Sequence, residues 1–402
     1  MAERGFDYVI AGAGQTGASA AAGIREIDKT SSVMLIGNEQ TIPYERPDLS
    51  KKLWFGKKQI QDVFVYDSAF YVENGIEMVT GVELTGLDAA GKILTDNRGN
   101  DYRYGKLLLA TGGIPRTLSI PGGDLWGLCY YRYIPDYLRI RRDTKERKSA
   151  VVIGGGFIGS EVAAALKMQE IDVTMVFPEQ YIVGRVFPQA LGERLQNLYI
   201  ERGIKILNAD TPTAIETSPA GYKVHTKNGA QLQADIVIVG IGIKPETSLA
   251  EKAGLTIENG ISVDKYLRTS NPDIFAAGDN AFFEYIALGK KTRVEHWDNA
   301  ANQGKQAGRN MAGANEPYEY MPYFFSDLFE FGYEAVGEID SSIETFGDWQ
   351  KELDTGVLYY MKDGNIKGVM TCNIYGKMDE ARQLIRSGKQ ITPDDLRGAI
   401  RG

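Results

Sequence analysis

"VVIGGGFIGSE", Val151 to Glu161, decides how this chain is to be read. A short β-branched run, "SAVVI", leads into a glycine cluster and then into a helical pattern. Gly154, Gly156 and Gly159 stand in G-x-G-x-x-G spacing. The first glycine permits a tight turn, the second lets backbone N–H groups approach a pyrophosphate, and the third lets helix pack on strand. The helix N-terminus then turns its partial positive charge toward the phosphates. The same device stands earlier in "YVIAGAGQTGA", Tyr8 to Ala18, where Gly12, Gly14 and Gly17 follow "DYVIA". One glycine-rich turn is at home in several α/β folds. Two in the same strand–turn–helix setting predict two dinucleotide-binding units in one chain.

Each unit should place an acidic residue at the end of its second strand, where it accepts from a ribose hydroxyl. After Gly159, "IDVTMVFPEQ" supplies Glu179, which favours NADH over NADPH, with Arg185 close enough in sequence to soften the preference. After Gly17, "SVMLIGNEQ" offers Asn38 or Glu39, an amide or an acid one place late. One dinucleotide that stays and one that comes and goes is the arrangement a hydride transfer between NAD(P)H and a bound flavin requires.

The 402 residues suggest two or three domains, and 43% apolar content with 24% charge is that of a globular protein. No apolar run approaches the length of a membrane span; "ADIVIVGIGI" is strand-length. The first strand is expected within a few residues of Met1, which leaves no room for a targeting segment and makes the cytoplasm the expected location. A net charge of −8 argues against general nucleic-acid binding. Cys129 and Cys372 form no CxxC pair, and with 2 histidines in the chain no His/Cys metal site is expected.

Further motifs carry a resemblance. "IPYERPDLSKKLWFG" (42–56), "LLLATGGIPR" (107–116), "NPDIFAAGDN" (271–280) and "TRVEHWDNAANQGKQAGRNMAG" (292–313) occur in this order. Together they resemble the FAD-dependent pyridine nucleotide-disulfide oxidoreductases that lack redox cysteines, nearest the ferredoxin/rubredoxin reductases and the flavoproteins like apoptosis-inducing factor. "VEHWDNA" and "PYFFSDLFEFGYEAVGEIDSS" point to the second group. The likeness runs from about residue 5 to 390. It implies an α/β fold with two Rossmann-like dinucleotide-binding domains, for FAD and NAD, plus an α+β C-terminal domain. FAD would be held by residues 1–118 and 246–320, NAD by an inserted 119–245, with 321–402 as the last domain. That last segment alternates as strands around a turn at Asp363-Gly364, before a helical "KMDEARQLIRSG".

The resemblance also assigns roles. Asp279 would accept from the flavin's ribityl chain, where otherwise it would be an Asx-turn aspartate. Arg46 and Arg116 would meet FAD phosphate or the ring edge; Val82, Thr111 and Gly112 would line the FAD site, and Ile158 and Gly242 the NAD site. Lys51 and Glu161, the latter placed on the first turn of the NAD helix, would meet beside flavin N5. There the ammonium stabilises charge on the reduced ring and the carboxylate holds the ammonium. Phe157 would lie where nicotinamide docks. Glu295, His296 and Trp297 precede a helix expected to begin at Asp298 or Asn299, and would sit at the flavin or nicotinamide. Phe325 stands where relatives often carry tryptophan and would cover the ring.

Between Asn38 and Gly75 there is no cysteine, so electrons are expected to leave the flavin for an external acceptor and not through a protein dithiol. Three readings stay open at this level. The first is like apoptosis-inducing factor: a slow NADH oxidase whose reduced flavin–NAD charge-transfer complex is long-lived and alters association, with a homodimer as its partner. The second is an NADH-dependent reductase of a small iron–sulfur carrier, which calls for a basic patch on an acidic protein. The third, a quinone reductase, finds no convincing anchor in the polar, Pro393-interrupted "DEARQLIRSGKQITPDDLRGAIRG".

Overall fold

The computed structural model describes residues 4–219, 221–390 and 392–401. Met1 to Glu3, on which the expectation about a targeting segment falls, and Ile391 and Gly402 of the polar tail lie outside them. Three helices are central to the architecture: α1 (Gln15–Ile27), α2 (Phe157–Lys167) and α3 (Trp297–Met311). The chain divides into two compact units. The first comprises Met1–Glu45, Ile60–Ile114 and Lys244–Tyr323; the second, Arg46–Gln59, Pro115–Ile243 and Phe324–Gly402.

The first unit is built on β1 (Arg4–Ala11), β2 (Val33–Ile36), β3 (Ile76–Val79), β4 (Leu84–Asp88), β5 (Ile93–Asp96) and β6 (Asp101–Leu109), in the order β3-β2-β1-β6-β5-β4. β3, β2, β1 and β6 run parallel, while β5 and β4 return antiparallel. The C-terminal half of β6 gains a parallel neighbour from far down the chain, the strand Ile274–Ala276, in register Ile274 with Leu107. "VMLI" of β2 is buried throughout, the near-continuous apolar run of a strand covered on both faces. α1 and α3 cross at backbone distance. A Cβ on Gly304 would stand 2.3 Å from the Thr16 carbonyl oxygen, and one on Gly308 2.0 Å from that of Ala20.

In the second unit a parallel sheet joins β7 (Cys129–Tyr130), β8 (Ser149–Ile153), β9 (Asp172–Val176), β10 (Lys205–Leu207) and β11 (Ile236–Val239), in the order β10-β9-β8-β11-β7. A three-stranded antiparallel meander spans residues 212–234. The unit ends in an antiparallel sheet of β12 (Tyr323–Leu328), β13 (Phe331–Gly337), β14 (Glu344–Lys351), β15 (Thr355–Lys362) and β16 (Asn365–Cys372), order β12-β13-β16-β15-β14. Asp363 and Gly364, at φ 52° and 72°, make the tight turn between β15 and β16. The helix Met378–Ser387 follows, burying Met378, Ala381 and Ile385. The architecture is the one the sequence implies: two Rossmann-like units and an α+β C-terminal segment.

Candidate functional site

The two glycine cradles are built alike. Gly12 and Gly154 take φ 125° and 118°, and a Cβ on either would strike a carbonyl oxygen, that of Ala110 at 2.1 Å or that of Gly240 at 2.3 Å. A Cβ on Gly17 or Gly159 would lie 2.0 Å from the carbonyl oxygen of Gly12 or Gly154. These glycines are demanded by the protein itself. Gly14 and Gly156 are not: a Cβ on either meets nothing within 4 Å. They are also the N-caps of α1 and α2, and neither helix has a side-chain cap. Two open helix N-termini with free approach for backbone N–H groups fit a pyrophosphate in each cradle.

In the first unit Glu39 follows β2 and accepts from the Tyr44 hydroxyl at 2.6 Å, while Asn38 is exposed. Val82 is buried, its N–H donating to the Gly37 carbonyl. Thr111 donates to the Glu246 carbonyl at 2.6 Å and accepts from Asn280 Nδ2 at 2.9 Å, and Gly112 takes φ 67°. Asp279 is half-buried, and its carbonyl accepts from Arg293 Nη1, which also pairs with Glu295. His296 is the N-cap of α3, so this helix starts at Trp297 and not at Asp298 or Asn299. Trp297 Nε1 donates to Gln15 Oε1 at 3.1 Å, which sets the open ends of α1 and α3 side by side. Burial pushes the His296 imidazole down to about 4, against the pull of Asp279, so at neutral pH it is uncharged.

In the second unit the sharpest feature is Glu161. It is the fifth residue of α2, one turn further in than the first turn where the sequence had placed it. The helix dipole falls off within that first turn, so hydrogen bonds and a counter-charge must carry the carboxylate. Lys51 Nζ donates to its Oε1 at 2.7 Å, with the two side chains 7% and 3% exposed. Ser326 Oγ donates to the same oxygen at 2.5 Å, and Ser50 Oγ to Oε2. Lys51 Nζ also stands 5.4 Å from the Phe325 ring centroid. Phe157, half-buried, meets Phe324 edge-on at 5.3 Å. Ile158 is exposed at the cradle's lip.

Arg46 lies over the Tyr133 ring and donates to the Arg132 carbonyl. Arg116 is exposed and bonds the Ile243 carbonyl, with its backbone N–H on the carbonyl of Gly242, itself at φ 93°. Glu179 follows β9 and pairs with Arg185 at 3.2 Å, the arginine side chain 86% exposed. Cys129 and Cys372 are single buried thiols, and burial pushes Cys129 up to about 12. Among the described residues no group of three His, Cys, Asp or Glu is placed to hold a metal. No helix among them is long and apolar enough to cross a membrane. Sequence reading missed Ser50, Ser326, Phe324 and Arg293. Each stands inside a quoted motif but earns attention only through the partner the fold supplies: Glu161 for Ser50 and Ser326, Phe157 for Phe324, and Asp279 and Glu295 for Arg293.

Twin cradles on two Rossmann-like units, without a cysteine pair, define a flavin-type oxidoreductase that handles two dinucleotides. The pattern described as "Pyridine nucleotide-disulphide oxidoreductase" matches residues 6–304, and the chain belongs to that family. Residues 307–355 match the C-terminal pattern of mitochondrion-associated apoptosis-inducing factor. The ferredoxin–NAD(+) reductase component of the anthranilate 1,2-dioxygenase system of Burkholderia cepacia is 32% identical over 391 residues, spanning 97% of this chain and 96% of that one. Apoptosis-inducing factor 1 of Dictyostelium discoideum is 33% identical over 431 residues, spanning 97% and 80%. A solved ferredoxin reductase from Rhodopseudomonas palustris superposes with a TM-score of 0.91 at 29% identity, covering 96% of each chain. The protein is an NAD(P)H-dependent flavin oxidoreductase of the ferredoxin reductase and apoptosis-inducing-factor type.

Proposed function

We propose that this is an NADH-dependent FAD reductase whose physiological acceptor is a small acidic iron–sulfur protein. Residues 1–118 and 246–320 hold FAD, 119–245 take NADH, and the setting is the cytoplasm. FAD, when bound, accepts a hydride at N5 and releases electrons singly. The chain's own part is to bind, orient and hold charge. Gly12, Gly14 and Gly17 with α1 receive the FAD pyrophosphate; Gly154, Gly156 and Gly159 with α2 receive that of NADH. Lys51, held by Glu161, stabilises negative charge on the ring. Neutral His296 at the N-cap of α3 donates without adding charge. Glu179 takes the adenosine ribose hydroxyls.

The observation that carries the acceptor is a basic surface on an acidic chain. Trp54 packs edge-on against Tyr137 at 5.3 Å, with Arg141 over its ring, and so joins exposed Lys52 and Lys57 to the helix Ile134–Asp143 with Arg141 and exposed Arg142, where Asp48 pairs with Lys52 and Lys58 and Asp143 with Arg142. With a net charge of −8, such a cluster suits an acidic partner and a fast, salt-sensitive encounter. The name of the Burkholderia relative, a ferredoxin–NAD(+) reductase component, supports the same reading.

The test is an anaerobic NADH titration, then oxidised [2Fe–2S] ferredoxin, then air, with the flavin's visible absorbance followed. Bleaching by NADH and reoxidation by ferredoxin that is faster than by air, slowing as salt rises, are expected. A long-wavelength band that survives air for minutes, with dimers forming on reduction, would instead favour the second reading. That reading, the slow oxidase with a lasting charge-transfer complex, is favoured by the match of residues 307–355. NADH preference has its own check: Glu179→Ala should lower the NADH/NADPH ratio of kcat/KM about tenfold, and an unchanged ratio refutes the assignment.

A further inference from the structure

β12 reads "YFFSDL", and three consecutive residues of it each meet one member of the second unit's site. Phe324 meets Phe157, Phe325 meets Lys51, and Ser326 meets Glu161. Strand geometry puts Phe324 and Ser326 on one face. Helix geometry puts Phe157 and Glu161, four apart, on one face of α2. Two strand residues rise roughly 6.6 Å and four helical residues roughly 6 Å, so the two pairs meet in register.

The hydrogen bonds at Glu161 are then specific. Its Oε1 accepts from both Lys51 and Ser326, and its Oε2 accepts from Ser50. Both serines are 2% exposed. The terminal torsion of a glutamate is broad and roughly two-fold when nothing holds it. One hydroxyl on each oxygen fixes the carboxylate plane, leaving a single lobe of Oε1 for the ammonium.

We propose that Ser326 is a positioning residue for flavin reduction: its hydroxyl fixes the Glu161 carboxylate, which in turn holds the Lys51 ammonium at one place. Ser326 thereby sets the rate of hydride transfer without touching either dinucleotide. This rests on Lys51 acting on the flavin, as proposed above. A serine that merely satisfied a buried oxygen would alter stability and have no effect that depends on Lys51.

The test is a double-mutant cycle of Ser326→Ala and Lys51→Met on the FAD-loaded protein. It reads the anaerobic flavin reduction rate at saturating NADH, the NADH Kd and the flavin midpoint potential. Ser326→Ala is expected to slow reduction about tenfold and lower the potential, with Kd unchanged. In the Lys51→Met background it should change none of the three. Equal slowing in both backgrounds overturns the proposal. So does a normal rate in Ser326→Ala while Lys51→Met is slow, an outcome that leaves the role of Lys51 standing. A normal rate in Lys51→Met overturns both. If Ser326→Ala fails to load FAD, Ser50→Ala, which frees the other oxygen, takes its place in the cycle with the same expectation.

Discussion

Glu161→Gln keeps the shape of the buried cluster and removes its negative charge. The amide oxygen still accepts from Lys51 and Ser326, and the amide nitrogen can donate to Ser50, so packing is preserved. What is lost is the counter-charge of an ammonium whose side chain is 7% exposed. At a separation of 2.7 Å the pair attracts by about 6 kcal/mol for an effective dielectric of 20. Part of that is recovered by water penetration, and breaking buried pairs costs about 3–5 kcal/mol. Lys51→Met with Glu161→Gln leaves no charge to bury and should stay within about 1 kcal/mol of the wild type. Urea unfolding of the four proteins, followed by circular dichroism, gives the coupling from midpoints at constant slope. Glu161→Gln unfolding at the wild-type midpoint would refute the argument, because the ammonium would then need no partner.

The cradle glycines should separate into two classes. Gly12→Ala is expected to unfold the first unit, since its Cβ has no space, whereas Gly14→Ala should leave the apoprotein's melting temperature unchanged and lower bound FAD, read from absorbance. His296 gives a pH signature. Its folded value of about 4 lies below the ordinary 6.5, so the unfolded chain binds the extra proton. Its contribution is therefore present above pH 6.5 and lost as pH falls toward 4; His296→Gln should lose stability less steeply across that window in denaturant titrations.

What could be read from the sequence was what is local. Strand, three glycines and helix lie within a dozen residues, and the glycine pattern announces both cradles because steric demand at Gly12 and Gly154 admits no substitute. The Asp363-Gly364 turn is local in the same sense. Lys51 and Glu161 sit 110 residues apart and could be joined only through resemblance, and Ser326 is 165 from Glu161. No periodicity links a serine in one strand to a carboxylate on another segment's helix. Boundaries slipped by a turn or less, at Glu161 and at Trp297, since a helix start depends on where capping stops. The grouping of Arg46–Gln59 with the second unit comes from packing, such as Trp54 on Tyr137, that leaves no mark in composition.

The long-range pairing of β6 bears on how the chain is made. Its outer edge along Leu107–Leu109 is closed by Ile274–Ala276, which is synthesised 165 residues (274 − 109) later. At about 5–20 residues per second a ribosome needs roughly 8–33 s to cover that stretch. Throughout that interval three consecutive leucines present an unpaired strand edge, the template on which nascent chains stick to one another. α3, which packs on α1, emerges later still. The first unit is thus begun first yet completed only after residues 115–243 of the second have been made, and slow elongation would expose it to aggregation while that segment folds.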